Sequence, residues 1–89
     1  MSIKYSGGYS DTSETNEDII PLIQTNEGRG DDTVFILKEI SFLPSSDCNI
    51  KINGGSSIFV PSGTTYTNTI RVESLVLVEA VVYNIAFNY

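Results

Sequence analysis

Carboxylates and tyrosines are the side chains of this 89-residue chain that could do chemistry, since it contains no histidine. Glu73 and Glu79 could serve as the acid and base of glycoside hydrolysis, but six residues of extended strand separate them by roughly 20 Å. That distance is too large for one glycosidic bond. The absence of histidine also removes the commonest general base and every Ser-His or Cys-His nucleophile pair. The sequence therefore predicts a protein that is not an enzyme and that needs no cofactor.

Two polar motifs near residue 30 offer binding alternatives. The tripeptide Arg29-Gly30-Asp31 is one that some cell-adhesion receptors bind, but a three-residue match in a flexible turn is weak, and we interpret it as incidental. Asp31 and Asp32, with Glu27 nearby, could offer oxygen ligands to calcium. Their spacing does not match an EF-hand loop, so solvated charges are the favoured interpretation and no metal site is predicted.

Tyrosines supply the remaining candidate site. Tyr5, Tyr9 and Tyr66 could stack on sugar rings, because an aromatic face beside hydroxyl and amide groups is typical of carbohydrate recognition. Tryptophan, the favoured platform, is absent. Structural or interfacial tyrosines are therefore favoured. A receptor- or carbohydrate-binding module that uses Tyr66 and the loop of residues 61–65 is kept as the alternative function.

Charge and cysteine content narrow the possible partners. The net charge is −6 with only five Lys and Arg residues, which argues against a nucleic-acid partner and against an acidic membrane surface. The N-terminus does not lead into a continuous apolar segment, and no stretch approaches the roughly 20 apolar residues of a membrane span. The single cysteine, Cys48, cannot form an intramolecular disulfide. We expect it to be a small buried hydrophobe in a chain made in the cytoplasm.

The charge is unevenly distributed along the chain. Residues 1–32 hold seven acidic and two basic residues, a net charge of −5, whereas residues 33–89 hold four acidic and three basic residues, a net charge of −1. The first segment is also rich in Ser, Thr, Asn and Gly, with one apolar island at residues 19–23. This composition predicts an extended acidic N-terminal arm over residues 1–32. Because Pro21 leaves room for only a helical turn, we expect the island to dock in extended form on the same or a neighbouring subunit.

Residues 33–89 have the pattern of an antiparallel β domain. Cys48, Ile50 and Ile52 alternate with polar residues, as in a half-buried strand. Asn53-Gly54 is the strongest hairpin signal, because both residues tolerate positive φ. Five or six short strands with turn residues between them predict an all-β fold, a small antiparallel β-sandwich or barrel.

The last two strands carry more apolar surface than a small domain can cover. Residues 75–78 are apolar on both faces, so the strand should be central, with one face on the core and the other on a partner subunit or on the arm. The final strand has one aromatic face and a second face, Val82, Asn84, Ala86 and Asn88, that can meet water or a polar contact. The predicted subunit interface comprises Ile19, Ile20, Leu22, Ile23, Leu75, Val76, Leu77, Val78, Tyr83, Phe87 and Tyr89.

Residues 40–54 (ISFLPSSDCNIKING), 58–61 (IFVP) and 78–84 (VEAVVYN) give the chain a resemblance to a known class of proteins. Their pattern resembles small structural proteins of tailed bacteriophages and of phage tail-like particles of Gram-positive hosts, and the resemblance covers residues 33–89. It implies a virion component, synthesised in the host cytoplasm, that is present in several copies at the tail tip, baseplate, fibre attachment or capsid surface. The implied partners are copies of itself and other virion structural proteins.

Overall fold

The structure is a computed structural model in which residues 7–89 are described. In chain order the elements are β1 (Gly7–Thr12), β2 (Glu17–Asp18), α1 (Ile20–Asn26), β3 (Glu39–Pro44), β4 (Cys48–Ile52), β5 (Ile58–Val60), β6 (Tyr66–Asn68), β7 (Leu75–Leu77) and β8 (Val82–Asn88). The strands are short, and turns rich in Gly, Pro, Ser and Asn separate most of them.

The strands form two four-stranded antiparallel sheets. Sheet A has the order β1-β8-β3-β6, and sheet B has the order β2-β7-β4-β5. The neighbours therefore include the nested pairs β1·β8, β2·β7, β3·β6 and β4·β5. This strand order is that of a jelly roll. The prediction of a small antiparallel all-β fold is confirmed, and it is a sandwich of two open sheets. Residues 33–89 supply six strands, as predicted, and residues 7–18 supply two more.

Alternation along the long strands places the core between the sheets. In β4 the residues Cys48, Ile50 and Ile52 are buried and Lys51 is exposed, as the sequence predicts. In β8 the odd-numbered residues are buried and the even-numbered ones face outward. The core comprises Ile19, Ile20, Ile23, Leu37, Ile40, Phe42, Cys48, Ile50, Ile52, Val60, Val72, Leu75, Leu77, Val81, Tyr83, Ile85 and Phe87.

The N-terminal segment belongs to this sandwich, and in this it differs from the arm expected over residues 1–32. All six residues of β1 pair with β8 in sheet A, from Gly7 opposite Phe87 to Thr12 opposite Val82. β2 then crosses to sheet B and pairs with β7. The reason is the backbone: a polar, Gly-rich segment can complete a sheet through main-chain hydrogen bonds whatever its side chains contribute. Residues 1–6, and with them Tyr5, lie outside the described part of the chain.

The apolar island forms a helix, so the expectation of an extended anchor is wrong. α1 begins at Ile20, and Pro21 lies in its first turn, where a missing N–H removes no helical hydrogen bond and the fixed φ suits the helix. Ile19, Ile20 and Ile23 are buried in the core of the same chain. No helix within residues 7–89 has the length and apolar character needed to cross a membrane.

The turn after β4 has the geometry that its sequence predicts. Asn53 and Gly54 both adopt positive φ, of 53° and 74°. The Asn53 side chain does more than turn the chain, because its Oδ1 accepts hydrogen bonds from the backbone N–H groups of Glu73 (2.7 Å) and Ser74 (3.2 Å). Its Nδ2 donates to the carbonyl oxygen of Arg71 at 2.7 Å. These three hydrogen bonds join the hairpin to the segment that leads into β7.

Candidate contact surface

The outer face of sheet A carries a row of small side chains across its middle. Strand register places Gly8, Ala86, Ser41 and Thr67 in one row that crosses all four strands. The next row holds Ser10, Asn84 and Leu43, in which the Ser10 hydroxyl donates to the Asn84 Oδ1. The first row holds no side chain longer than threonine, which leaves room above the sheet at this point.

This face contains a shallow groove with a volume of about 390 Å³. We call it the sheet A groove; it is lined by Gly8, Tyr9, Ser10, Ser41, Leu43, Thr65, Asn84, Ile85 and Ala86. A second hollow of about 250 Å³ adjoins it and shares Leu43 and Asn84. Its other lining residues include Ser62 and Gly63 of the loop before β6. The two hollows together form a surface of hydroxyl, amide and small apolar groups.

Charge is absent from the described residues that line the groove. The chain carries a net charge of −6, yet none of the lining residues is Asp, Glu, Lys or Arg. Charged residues are depleted at the centre of protein contacts, because desolvating an unpaired charge is costly. The sheet A groove therefore has the composition of a surface that is covered by another molecule.

Most of the predicted interface residues are not on any outer surface. Seven of them are buried in the chain's own core: Ile19, Ile20, Ile23, Leu75, Leu77, Tyr83 and Phe87. Their side chains are buried between the two sheets and α1, so in this fold they are not available to a partner. Leu22, Val76, Val78 and Tyr89 remain partly exposed.

The strand β7 has the central position that its two apolar faces predict. It lies between β2 and β4, with Leu75 and Leu77 pointing inward. Val76 faces outward opposite Lys51 of β4 and is half-buried. Phe59 on β5, 57% exposed, lies on the same outer face opposite Asn49. The surplus apolar surface on sheet B is thus smaller than the sequence suggests.

Tyr66, the predicted ligand residue, is not among the residues that line the groove. It pairs with Phe42 across β6 and β3 on the inner side of sheet A, is half-buried, and accepts a hydrogen bond from Asn68 Nδ2 at 2.8 Å. The loop assigned to the same site is better placed, since Thr65 reaches the groove and Ser62 and Gly63 line the adjoining hollow. Tyr9 contacts the groove, while its ring packs at 6.2 Å from that of Tyr83.

The structure does not bring Glu73 and Glu79 together. Glu79 Oε1 accepts hydrogen bonds from the backbone N–H of Asn49 (2.7 Å) and from its Nδ2 (3.0 Å). Glu73 is exposed and lies 3.8 Å from the guanidinium of Arg71. Each carboxylate therefore has its own structural neighbours, and no shared reaction centre lies between them.

The segment around residue 30 contacts the side chain of Tyr89. The Arg29 guanidinium lies over the ring of Tyr89, 4.7 Å from its centroid, and also within 3.8 Å of an Asp32 carboxylate oxygen. The Tyr89 hydroxyl donates to Glu27 Oε1 at 3.2 Å. Residues 29–31 are exposed, but the arginine of the tripeptide is engaged within the chain. Among residues 7–89 no three metal-ligating side chains are grouped so that they could hold an ion.

Two buried groups have raised pKa values. Burial raises the pKa of the Cys48 thiol, so it stays protonated in the core as expected of a small hydrophobe. Burial, with smaller effects from Tyr9, Asp11 and Glu17, raises the pKa of the Tyr83 phenol. The Tyr83 hydroxyl is buried without a hydrogen-bond partner among the described residues. Neither group is placed or ionised for reaction with a ligand.

The sequence does not predict the sheet A groove, although one pattern in it is consistent with such a surface. The even-numbered face of β8, which includes Asn84 and Ala86, alternates with the buried face and was assigned to water or a polar contact. Apart from Ile85 of β8, the remaining lining residues come from β1, β3 and the segment before β6, which meet only through the sheet. Comparison of the chain with models of protein families, with curated proteins and with solved structures finds no match.

Proposed function

We propose that this chain is a non-enzymatic structural subunit of a larger particle, self-associating through the sheet A groove. We further propose that the particle is a bacteriophage virion or phage tail-like particle, as the resemblance of residues 33–89 suggests. The location would then be the virion, at the tail tip, baseplate, fibre attachment or capsid surface. The partners would be copies of the chain and other virion structural proteins.

The observation that carries the proposal is the uncharged lining of the sheet A groove. The outward residues of a solvated antiparallel sheet are usually polar. Here Gly8, Ser41 and Thr67, which lie in one row with Ala86, are small and neutral in a chain of net charge −6. Such a face can approach another protein surface closely without leaving a charge unpaired.

The fold gives secondary support. Viral capsid proteins and lectins both use jelly rolls. This is an analogy of fold, and the assignment to an assembly rests on the surface and not on the topology.

A pair of matched substitutions tests the proposal. Ala86→Lys places a charge at the centre of the groove, whereas Val76→Lys places the same charge on the outer face of the central strand of sheet B. Light scattering on the purified chain, from about 10 μM to 1 mM, should show oligomers larger than a dimer for the natural chain and for Val76→Lys. Ala86→Lys should lose these larger oligomers while its circular dichroism stays unchanged.

Two outcomes would contradict the proposal. A natural chain that remains monomeric over the whole range would exclude self-assembly. If Ala86→Lys associates as well as Val76→Lys, the sheet A groove is not the contact.

The groove also favours a second candidate, a receptor- or carbohydrate-binding module. Thr65, Ser10 and Asn84 supply hydroxyl and amide groups beside a hollow of a size that suits a small ligand. An exposed aromatic platform is missing from the described lining, because Tyr9 packs against Tyr83. Saturable binding on a glycan array, lost in Ala86→Lys and in Thr65→Ala, would favour this candidate over the assembly subunit.

A further inference from the structure

Among residues 7–89, β1 is the longest edge strand of the sandwich. The two edges of sheet A are β1, with six residues, and β6, with three. The edges of sheet B, β2 and β5, have two and three residues. Short edges offer too few backbone groups for a stable added strand, whereas a six-residue edge is a template for pairing.

The outward backbone groups of β1 can be identified from its register with β8. The Ser13 N–H donates to the Val81 carbonyl oxygen at 2.8 Å, and these two residues continue the β1·β8 register. Hydrogen-bonded and non-hydrogen-bonded pairs alternate in an antiparallel ladder, so the odd-numbered residues of β1 bond to β8. The backbone groups of Gly8, Ser10 and Thr12 therefore point away from the sheet.

The usual protections of an edge strand are missing from β1. Its sequence, GGYSDT, contains neither lysine nor proline, the residues that most often block edge pairing. Its one charge, Asp11, is already engaged: the carboxylate accepts hydrogen bonds from the Thr12 N–H at 2.8 Å and from the Tyr9 hydroxyl at 2.9 Å. Within residues 7–89 no other strand covers this edge.

We propose that β1 pairs edge to edge with β1 of a second copy of the chain, antiparallel about a twofold axis at Ser10. The inference rests on the proposed function, because it names a contact of the same self-associating surface. In this register each Ser10 lies opposite the other, so the two residues exchange both backbone hydrogen bonds. Gly8 lies opposite Thr12, and the Gly8 N–H donates to the Thr12 carbonyl oxygen, whereas the Thr12 N–H keeps its bond to Asp11 Oδ1. The two sheets A become one eight-stranded sheet.

The register itself favours a second copy as the occupant of this edge. In the Ser10-centred register each Asp11 lies opposite Tyr9 of the other copy, so the two carboxylates are not directly opposed. Each Asp11 already accepts a hydrogen bond from Tyr9 of its own chain, so the pairing brings no unpartnered carboxylate into the contact. The pairing also joins the two sheet A grooves, since Gly8 and Ser10 belong to both surfaces.

Disulfide trapping tests the contact directly. Residues opposite each other in a hydrogen-bonded antiparallel pair have Cα atoms about 5.5 Å apart, within the range of a disulfide. Ser10→Cys should therefore form a covalent dimer with oxidised glutathione. Thr67→Cys is the matched control, because Thr67 is exposed on the same face in the middle of the other edge strand, β6. The natural chain controls for Cys48, which is buried.

A second pair of variants tests the backbone contact without a cysteine. Ala86→Lys should still form dimers through β1, although it loses larger oligomers. Adding Ser10→Pro removes the outward N–H at the centre of the contact without removing a backbone hydrogen bond to β8, and should weaken that dimer about tenfold or more. Circular dichroism checks that each variant is folded.

The outcomes separate the inference from the proposed function. If the chain forms large oligomers but Ser10→Cys cross-links no faster than Thr67→Cys, the β1 contact is wrong and the assembly role stands. If the Ala86→Lys dimer survives Ser10→Pro in a folded chain, the contact is wrong as well. A natural chain that is monomeric throughout overturns both.

Discussion

The two sheets of the sandwich share one core but present different outer faces. Sheet A shows a row of small neutral side chains with Ala86 at its middle. Sheet B shows Lys51 beside Val76, and an exposed Phe59 beside Asn49. Both inner faces are apolar because both are buried in the core, so the two sheets differ in the surroundings of their outer faces. The comparison teaches that the two sheets differ in their outward residues, so any difference in what the sheets bind must come from those residues.

The largest effect should come from breaking the distinction between the two sides of β7. Leu77 is fully buried, so Leu77→Asp places a carboxylate in the core and should cost more than about 4 kcal/mol, enough to unfold a chain of this size. Val76→Asp on the outer side is the control and should cost about 1 kcal/mol or less. Urea unfolding followed by circular dichroism measures both. Equal losses would mean that the two faces of sheet B are wrongly assigned.

The next largest effect should come from the turn that ties sheet B together. Asn53→Ala removes three hydrogen bonds to residues 71–74 and puts alanine at φ 53°, so the free energy of unfolding should fall by about 2 to 3 kcal/mol. Asn53→Gly relieves the backbone strain but not the lost bonds and should recover about 1 kcal/mol. If the free energy of unfolding of Asn53→Gly equals that of the natural chain, the hydrogen bonds of the Asn53 side chain contribute nothing to stability.

Alkaline pH should weaken both sheets through one buried group in each. Burial raises the pKa of Cys48 in sheet B and of Tyr83 in sheet A. A raised pKa means that the folded state holds the proton more tightly, so this stability is complete below the unfolded pKa values of 9.0 and 10.0 and is lost above them. Thermal melts should therefore show a falling melting temperature above pH 9.0. Cys48→Ala should delay the fall, and unchanged profiles would exclude titration of the thiol.

The smallest effect concerns the unpartnered hydroxyl on the inner face of sheet A. Tyr83→Phe removes that group and loses no hydrogen bond to the described residues, so stability should be unchanged or rise by up to about 1 kcal/mol. Tyr9→Phe is the comparison, because it removes the hydroxyl that donates to Asp11 at the surface. A loss above about 1 kcal/mol in Tyr83→Phe would indicate that its hydroxyl is bonded.

The parts of the fold that follow a local pattern were predictable. The alternation in β4 and β8 and the Asn53-Gly54 turn are properties of consecutive residues, and the structure confirms them. The predicted β domain begins at residue 33, but its first strand, β3, begins only at Glu39, and Val34 is 66% exposed. Apolar content alone could not show where the pairing with β8 begins.

The parts that depend on distant partners were not predictable. The composition of β1 argues against a strand, and it forms one because β8, more than 70 residues later, offers a free edge. Pro21 predicts no more than a helical turn in the apolar island, yet tertiary burial of Ile20 and Ile23 stabilises a seven-residue helix that would be marginal alone. The sheet A groove shares this origin, since its rows cross strands from both ends of the chain.

The nested order of the strand pairs has a consequence for how the chain folds. Closing a loop costs more entropy the longer the loop is, and β4·β5 is the pair with the shortest connection. Once that hairpin exists, it shortens the effective loop for β3·β6, which in turn shortens it for β2·β7 and finally for β1·β8. Folding should therefore proceed outward from the Asn53-Gly54 turn, and β1, whose edge is proposed to carry the self-contact, should be the last strand added.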